Sequence, residues 1–277
     1  MSPKTVRISS ENDDFQYLET VRRNRAKRHR AGEFVVEGVR QLNQALANGW
    51  TVNAFLYSPD RTLSDWAAGI LAGSRARAHL ELALPLLEKL SGKAEASELL
   101  ALVAMPDDDL ARIPLGEDLL AVIFDRPASP GNLGTVIRSC DALGVHGLIV
   151  TGHAADVYDP ETISATTGSL FALPVVRAPA PGDLLPWLET IRRTVGPFQL
   201  VGSSANATVD LTRHDFTRPT VLVVGNETWG LSAAFRELCD AIVAIPMGGS
   251  ATSLNVACAA SILLYEIDRQ RRAGTGG

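Results

Sequence analysis

Three short stretches in the second half of the chain gather the residue types that do chemistry. In DRPASPGNLGTVIRS, residues 125–139, two prolines stiffen a loop, and Gly131 and Gly134 let backbone approach backbone at a helix start. The stretch delivers Asn132 and, on the helix that follows, Arg138. An amide, a guanidinium and the free N–H groups of a helix N-terminus can together hold an anionic group. The second stretch is VVGNETWGLS, residues 223–232, where an apolar strand ends at Gly225 and releases Asn226 and Glu227. A glycine at a strand end permits close approach of a ligand or of another backbone. The third is IPMGGSATSLNVACAAS, residues 245–261, a glycine-rich turn feeding a helix whose first residues read Ser253, Leu254 and Asn255. Each has a plain reading when taken alone: a capped helix with an exposed arginine, a chance GNE, a simple turn. The three together are far more specific, provided one edge of one sheet carries them all.

The elements around them meet that condition. From residue 119 on, strand-length apolar runs alternate with helical patterns: LLAVIF, GLIV, LPVV, FQLVG, TVLVV and AIVAIP. That rhythm predicts an α/β fold with a parallel sheet covered by helices, and in such sheets ligands bind outside the carboxyl ends of the strands. Leu133, Val136, Ile137, Cys140 and Leu143 form an apolar helical stripe closed by Gly144, while Asp159 and Pro160 open another helix. The last helix sets Val256, Ala260, Leu263, Leu264 and Ile267 on one face. Ahead of this half, FVVEG, a helical run ending at Gly49, VNAFLY, helical stretches near 63–73 and 84–91, and LLALVAM make a smaller α/β unit. PDDDLARIPLGED, residues 106–118, has the composition of a connector. Two domains are therefore expected, at 1–110 and 116–277.

Several classes of function are excluded. No G-x-G-x-x-G run follows the first strand of the second half and no P-loop lysine is present, which argues against nicotinamide enzymes and nucleotide hydrolases. The five histidines form no i, i+4 pair and lie near no cysteine pair, so no metal site is expected; Cys140 and Cys258 fall on apolar helical positions and read as core. No apolar run approaches bilayer length, the N-terminus lacks the order of a secretory signal, and the three cysteines are widely spaced, so a cytoplasmic protein without membrane association is expected. The net charge of −5 argues weakly against a polyanionic partner. Its distribution argues the other way, for Arg22, Arg23, Arg25, Lys27, Arg28 and Arg30 crowd into nine positions and form a cationic strip suited to RNA phosphates. The alternative is a solvated helix face paired with Asp13, Asp14 and Glu19.

The three stretches resemble the sequence motifs of the SpoU (TrmH-like) methyltransferases of the SPOUT superfamily: N-x-G with an arginine on the next helix, GNE with a later Gly-Leu, and IPM followed by SLN. The likeness runs nearly end to end, through RAGEFVVEGVR, HAADVYDP and TTGSLFALPVVR, to members that methylate large-subunit ribosomal RNA and confer resistance to orthosomycin antibiotics of the avilamycin type. It implies an N-terminal domain similar to ribosomal protein L30e that recognises RNA. It further implies a C-terminal parallel-sheet domain tied in a deep trefoil knot, which periodicity alone would not suggest. S-adenosylmethionine is the implied cofactor, held by backbone at Gly225, Ile245 and Leu254, with Ser203 and Met247 lining the cleft. The implied chemistry is 2′-O-methylation of a ribose in 23S rRNA by Asn132, Arg138, Glu227, Ser253 and Asn255, in a homodimer formed through the knotted domain. A tRNA substrate is the second reading within the class, and a ribosome-binding protein without catalysis is the reading from another class. The family proposal makes Arg138 the base. A guanidinium keeps its proton throughout the accessible pH range, so stabilising negative charge on the ribose or phosphate suits it better, with Glu227 orienting groups and the two asparagines fixing geometry.

Overall fold

A computed structural model describes residues 3–93 and 95–274. The chain forms two compact units, Met1–Pro106 with Tyr158–Ala172, and Asp107–Val157 with Leu173–Gly277. The first therefore ends inside the expected connector, and it also takes a segment that the sequence reading had left in the C-terminal domain.

In the first unit the elements are β1 (Lys4–Ile8), α1 (Asp13–Arg23), α2 (Arg25–Ala31), β2 (Glu33–Glu37), α3 (Val39–Ala47), β3 (Val52–Tyr57), α4 (Asp65–Ala72), β4 (Ala78–Leu82), α5 (Leu84–Ser91) and β5 (Leu99–Ala104). The strands lie in the order β1-β4-β3-β5-β2, with β5 antiparallel to both of its neighbours. Helix α1 starts because the Asn12 side chain accepts the Phe15 N–H at 3.1 Å, and it buries Phe15, Leu18 and Val21 on one stripe. Asn24 stops α1 and caps α2, which ends at Gly32 with φ +66°. The borrowed segment, carrying a short helix at Pro160–Thr166, packs on β2 and α3. Phe34 packs on Tyr158 with the rings tilted and their centroids 4.7 Å apart, Trp50 meets Phe171 edge-on at 5.1 Å, and the Trp50 indole N–H donates to the Phe171 carbonyl at 2.9 Å.

This packing corrects the cationic strip. Arg28 is 1% exposed; it donates to the Val21 and Arg22 carbonyls and lies 3.7 Å from the Asp159 carboxylate. Arg22 is largely covered, bound to Glu37 at 3.1 Å and to the Ser91 carbonyl at 2.6 Å. Both hold the fold, since a buried guanidinium is tolerated only when its donors are satisfied. Arg23, Lys27 and Arg30 remain exposed, Arg23 with an i, i+4 partner in Glu19, and Arg25 is half-buried.

The second unit runs β6 (Leu120–Asp125), α6 (Pro130–Ala142), β7 (Gly147–Thr151), then, past the borrowed helix (α7), β8 (Val175–Ala178), α8 (Leu185–Thr194) and β9 (Gln199–Ser203). It continues with β10 (Val209–Asp210), β11 (Thr220–Val224), α9 (Ala233–Leu238), β12 (Ala241–Ala244) and α10 (Val256–Gly274). All strands pair in parallel, in the order β10-β12-β9-β11-β6-β7-β8. One face of this sheet, through Ala121, Ile123, Val221 and Val223, packs with Trp187, Leu188, Ile191 and Phe235 of α8 and α9. The alternate residues Val122, Phe124, Leu222 and Val224 are buried as well, as a parallel sheet covered on both sides requires. Helices α6 and α10 pack against each other, joined by the Ser139 and Ser261 hydroxyls at 2.8 Å. Near the C-terminus Arg271 donates to the carbonyls of Asp118, Leu119, Phe216 and Arg218, tying the end of α10 to the start of the sheet. Cys140 is buried in α6, whereas Cys258 is exposed, which corrects its assignment to the core.

The strand order creates the site. The chain enters at β6, builds outward through β7 and β8, then crosses to the other side to add β9, β11 and β12. Strands β6 and β11 are neighbours at that reversal, and the loops leaving their carboxyl ends part to open a crevice. Those loops are DRPASPGN and GNETWG.

Candidate active site

Asp125 ends β6 as a buried carboxylate. It accepts from Arg126 Nε and Nη2 at 3.1 Å each, from the Ser232 N–H at 2.8 Å and from the Thr151 hydroxyl at 3.3 Å. Arg126 adopts φ +54°, and its guanidinium also donates to the Gly230 carbonyl at 3.1 Å. A left-handed arginine costs about 1 kcal/mol or more, and the paired Asp125 holds it there. Asn226 fastens the second loop to the first, for its amide donates to the Arg126 carbonyl at 2.7 Å while its oxygen accepts the Thr228 and Trp229 N–H groups at 2.9 Å. The sequence reading singled out neither Asp125, Arg126 nor Asn226 for this bracing. A charged pair directly after a buried strand was the available signal.

Glu227 closes the crevice. One carboxylate oxygen accepts the Ala128 N–H at 2.9 Å, and the other accepts the Ser129 N–H at 3.0 Å and the Asn132 amide at 3.3 Å. Asn132 in turn accepts from the Asn255 amide at 3.0 Å, and the Asn255 oxygen caps α10 through the Ala257 N–H at 2.9 Å. That cap starts α10 at Val256, so Ser253 and Leu254 lie in the loop ahead of the helix and not in its first turn. Residues from the start of α6 and from two loops thus form one hydrogen-bonded chain, Glu227 to Asn132 to Asn255. Burial pushes the Glu227 carboxyl up, but the N–H groups it accepts outweigh this and hold it below the ordinary carboxylate range.

A carboxylate depressed in this way has a calculable sign. Its contribution to stability is present above the unfolded-state value of about 4.3 and is lost as pH falls through the lower folded-state value. Glu227→Gln, which turns a donor toward backbone donors, is expected to cost about 1–3 kcal/mol in urea unfolding at pH 7. The gap to the wild type should narrow as pH falls below 4.3; a gap that does not change with pH would sink the assignment.

Beside this chain lies a cavity of about 400 Å³ at the carboxyl ends of β9, β11 and β12. Ser203, Gly225, Glu227, Ile245, Met247, Ser253 and Leu254 all line it. At Gly225 an added Cβ would lie 2.3 Å from the Gly230 carbonyl carbon and 2.4 Å from the Leu231 nitrogen, so two backbones touch there with no space for a side chain. The walls mix backbone and apolar side chains with hydroxyls, amides and the Glu227 carboxylate, and Arg236 is the one Lys or Arg among the lining residues, a lining that suits a ligand without phosphate better than an anionic one. Asn132, Asn255 and Arg138 are not part of the lining. Arg138 stands exposed on α6, about 9 Å further along the helix axis than Asn132, and makes no hydrogen bond or ion pair among the described residues. The structure therefore does not bring Arg138 onto the Asn132–Glu227 network within one chain.

The chain belongs to the SpoU family of RNA methyltransferases. The profile of the SpoU rRNA methylase family matches residues 119–265, and that of the SpoU L30e-like domain matches residues 12–101. The chain is 52% identical over 274 residues, 99% of its own length and 95% of the other, to the 23S rRNA (uridine(2479)-2′-O)-methyltransferase of Streptomyces viridochromogenes. It superposes with a TM-score of 0.91 on the crystal structure of the SpoU methyltransferase AviRb from that organism in complex with AdoMet, at 52% identity, covering 95% of this chain and 99% of that one. The AdoMet-bound rRNA methyltransferase of Sinorhizobium meliloti superposes at 0.83 with 30% identity, covering 96% and 98%. A TrmH/SpoU tRNA modifying enzyme of A. aeolicus matches only 57% of this chain and 80% of its own, at 35% identity and a TM-score of 0.50.

Proposed function

We propose that this protein transfers the methyl group of S-adenosylmethionine to the 2′-hydroxyl of a ribose in 23S ribosomal RNA. The observation that carries the reading is the hydrogen-bonded chain Glu227, Asn132, Asn255 beside a backbone-walled cavity, in a chain alike throughout to an enzyme named for that reaction. The cavity fits the cofactor. The close approach at Gly225 presents main chain for a purine edge, and Ile245, Met247 and Leu254 offer apolar walls to the carbon faces of an uncharged ribose and to the methylenes of the methionine tail. When bound, the cofactor supplies a methyl group made electrophilic by a sulfonium centre.

The protein's part is placement and charge. Glu227 has both oxygens committed to N–H donors, so it acts by fixing the β6 loop and not by taking a proton. Asn132 and Asn255 carry that order to the start of α10. Arg138, exposed and without a partner among the described residues, is the group available to grip the RNA backbone and offset negative charge on the attacking oxygen. Arg23, Arg25, Lys27 and Arg30 extend phosphate contact into the L30e-like domain.

A homodimer belongs to this reading. Cys258, Ile262 and Tyr265 form an exposed stripe on α10 at i, i+4, i+7 spacing, with Ile262 40% and Tyr265 61% exposed. Arg138 lies on the helix packed against it, so a second subunit would bring new groups to Arg138. The knot is proposed on the resemblance, together with the return of α10 from β12 onto α6. No helix among the described residues is long and apolar enough to cross a membrane; a cytoplasmic location follows from the proposed substrate. Protection against an orthosomycin-type antibiotic is the proposed biological role, checked by comparing growth of a sensitive host with and without the gene.

The deciding assay is transfer of labelled methyl from S-adenosylmethionine to protein-free 23S rRNA, to assembled large subunits and to bulk tRNA. Label recovered as an alkali-resistant 2′-O-methylated dinucleotide from rRNA is the expected result. Label in tRNA alone would transfer the reading to a tRNA enzyme, and failure to bind the cofactor would leave a protein that binds RNA without catalysis.

A further inference from the structure

Trp229 is 75% exposed, although a large aromatic side chain normally gains by burial. Its position is not a matter of loop freedom. The Asn226 oxygen holds the Trp229 N–H, Asn226 and Gly230 form a two-way backbone bridge with both N···O distances 3.0 Å, and Gly230 takes φ +65° to close the turn. The indole is therefore presented outward on a braced turn.

Two cavities meet there. Trp229 and Asn226 line the cofactor cavity and also a second one of about 440 Å³, whose other walls are Arg126, Pro127, Ala128 and His153–Ala155. That volume is within the range of small-molecule sites. Arg126, braced through Nε and Nη2 on Asp125 and Gly230, is one of the walls of this second cavity. Direct methyl transfer requires donor and acceptor within about 3–3.5 Å of each other. A nucleotide accepting the methyl must consequently occupy space contiguous with the cofactor cavity, and a ribose buried in a stacked helix cannot do so unless its base is moved aside.

We infer that the second cavity receives the base of the nucleotide being methylated, stacked on the Trp229 indole. Aromatic side chains are the usual support for splayed RNA bases, because every base offers a π-face. The inference rests on the RNA-methyltransferase reading and adds the site of the acceptor base to it.

The test has two readouts. With wild-type protein and a single-stranded oligouridylate, quenching of tryptophan emission is expected, and it should be absent in Trp229→Phe, which retains the other three tryptophans. In the methylation assay, run at saturating S-adenosylmethionine because Trp229 also lines the cofactor cavity, Trp229→Ala should raise KM for RNA by about ten- to a hundredfold, and Trp229→Phe should recover much of the loss. Equal quenching in wild type and Trp229→Phe would overturn the stack, as would an unchanged KM for RNA in Trp229→Ala at saturating cofactor, or conversion of that variant to a different oligomeric state. Absence of methylation by the wild type with Trp229-specific quenching intact would remove the enzymatic reading alone and leave a base-stacking site.

Discussion

Arg138→Ala is expected to lower the rate of methyl transfer by about a hundred- to a thousandfold, the range found when a single charge-stabilising donor is removed from an active site. Stability and cofactor affinity should not follow. The side chain is exposed, makes no bond or ion pair among the described residues and does not line the cofactor cavity, so its loss creates neither a void nor an unpaired buried group. The contrast with Arg22, Arg28, Arg126 and Arg271 is the argument for function. Those four guanidiniums are committed to carboxylates and carbonyls that hold the fold together, and Arg138 is not. Arg138→Lys separates charge from shape: a point charge without the planar fork should restore only a minor part of the rate. Single-turnover kinetics beside a thermal melt and calorimetry would check both variants. Near-full turnover by the lysine protein would sink the requirement for a planar donor, and near-full turnover by the alanine protein would remove Arg138 from the chemistry.

Gly225→Ala is expected to have the largest effect on the cofactor site. The new methyl would meet Gly230 and Leu231 main-chain atoms at 2.3–2.8 Å, and no flexible side chain is there to move away. Either the end of β11 or the 230–231 turn must shift, and both wall the cavity. A loss of about 3 kcal/mol in stability is expected from forced overpacking against backbone, together with at least about a tenfold loss of cofactor affinity, equivalent to 1.4 kcal/mol. Gly182→Ala is the control, since an added Cβ there meets nothing within 4 Å. Unfolding by urea and titration with S-adenosylmethionine give both numbers. Wild-type affinity in the Gly225→Ala protein would show that the close approach is not needed.

Much of the site was legible because short-range patterns encode it. The six strand runs appear as β6, β7, β8, β9, β11 and β12, and the three stretches leave the same edge of the sheet. The adjacency of β6 and β11 was not legible, since strand spacing gives number and direction but not order. Glu227 could thus be named while its reach to Ala128 and Ser129 could not. Arg28 misled for a related reason. Within RRNRAKRHR it looks like one more surface charge, and only the packing of Asp159 and Tyr158 against that region buries it. The start of α10 was misplaced because Asn255 reads as a helical residue until its side chain is seen capping the helix. Cys258 fits an apolar helix, but its face is left uncovered in the single chain.

The segment Tyr158–Ala172 has a consequence for how the molecule is made. The backbone passes from one unit to the other three times, at 106–107, 157–158 and 172–173. During synthesis Phe34 and Trp50 lack the Tyr158 and Phe171 rings that pack on them until the ribosome has produced residues 158–172, and by then five strands of the neighbouring sheet are still to come. Neither unit is therefore a removable cassette. A gene cut at the linker would yield an RNA-recognition half without part of its aromatic core and a transferase half trailing that missing piece, so the two can be inherited and exchanged only together.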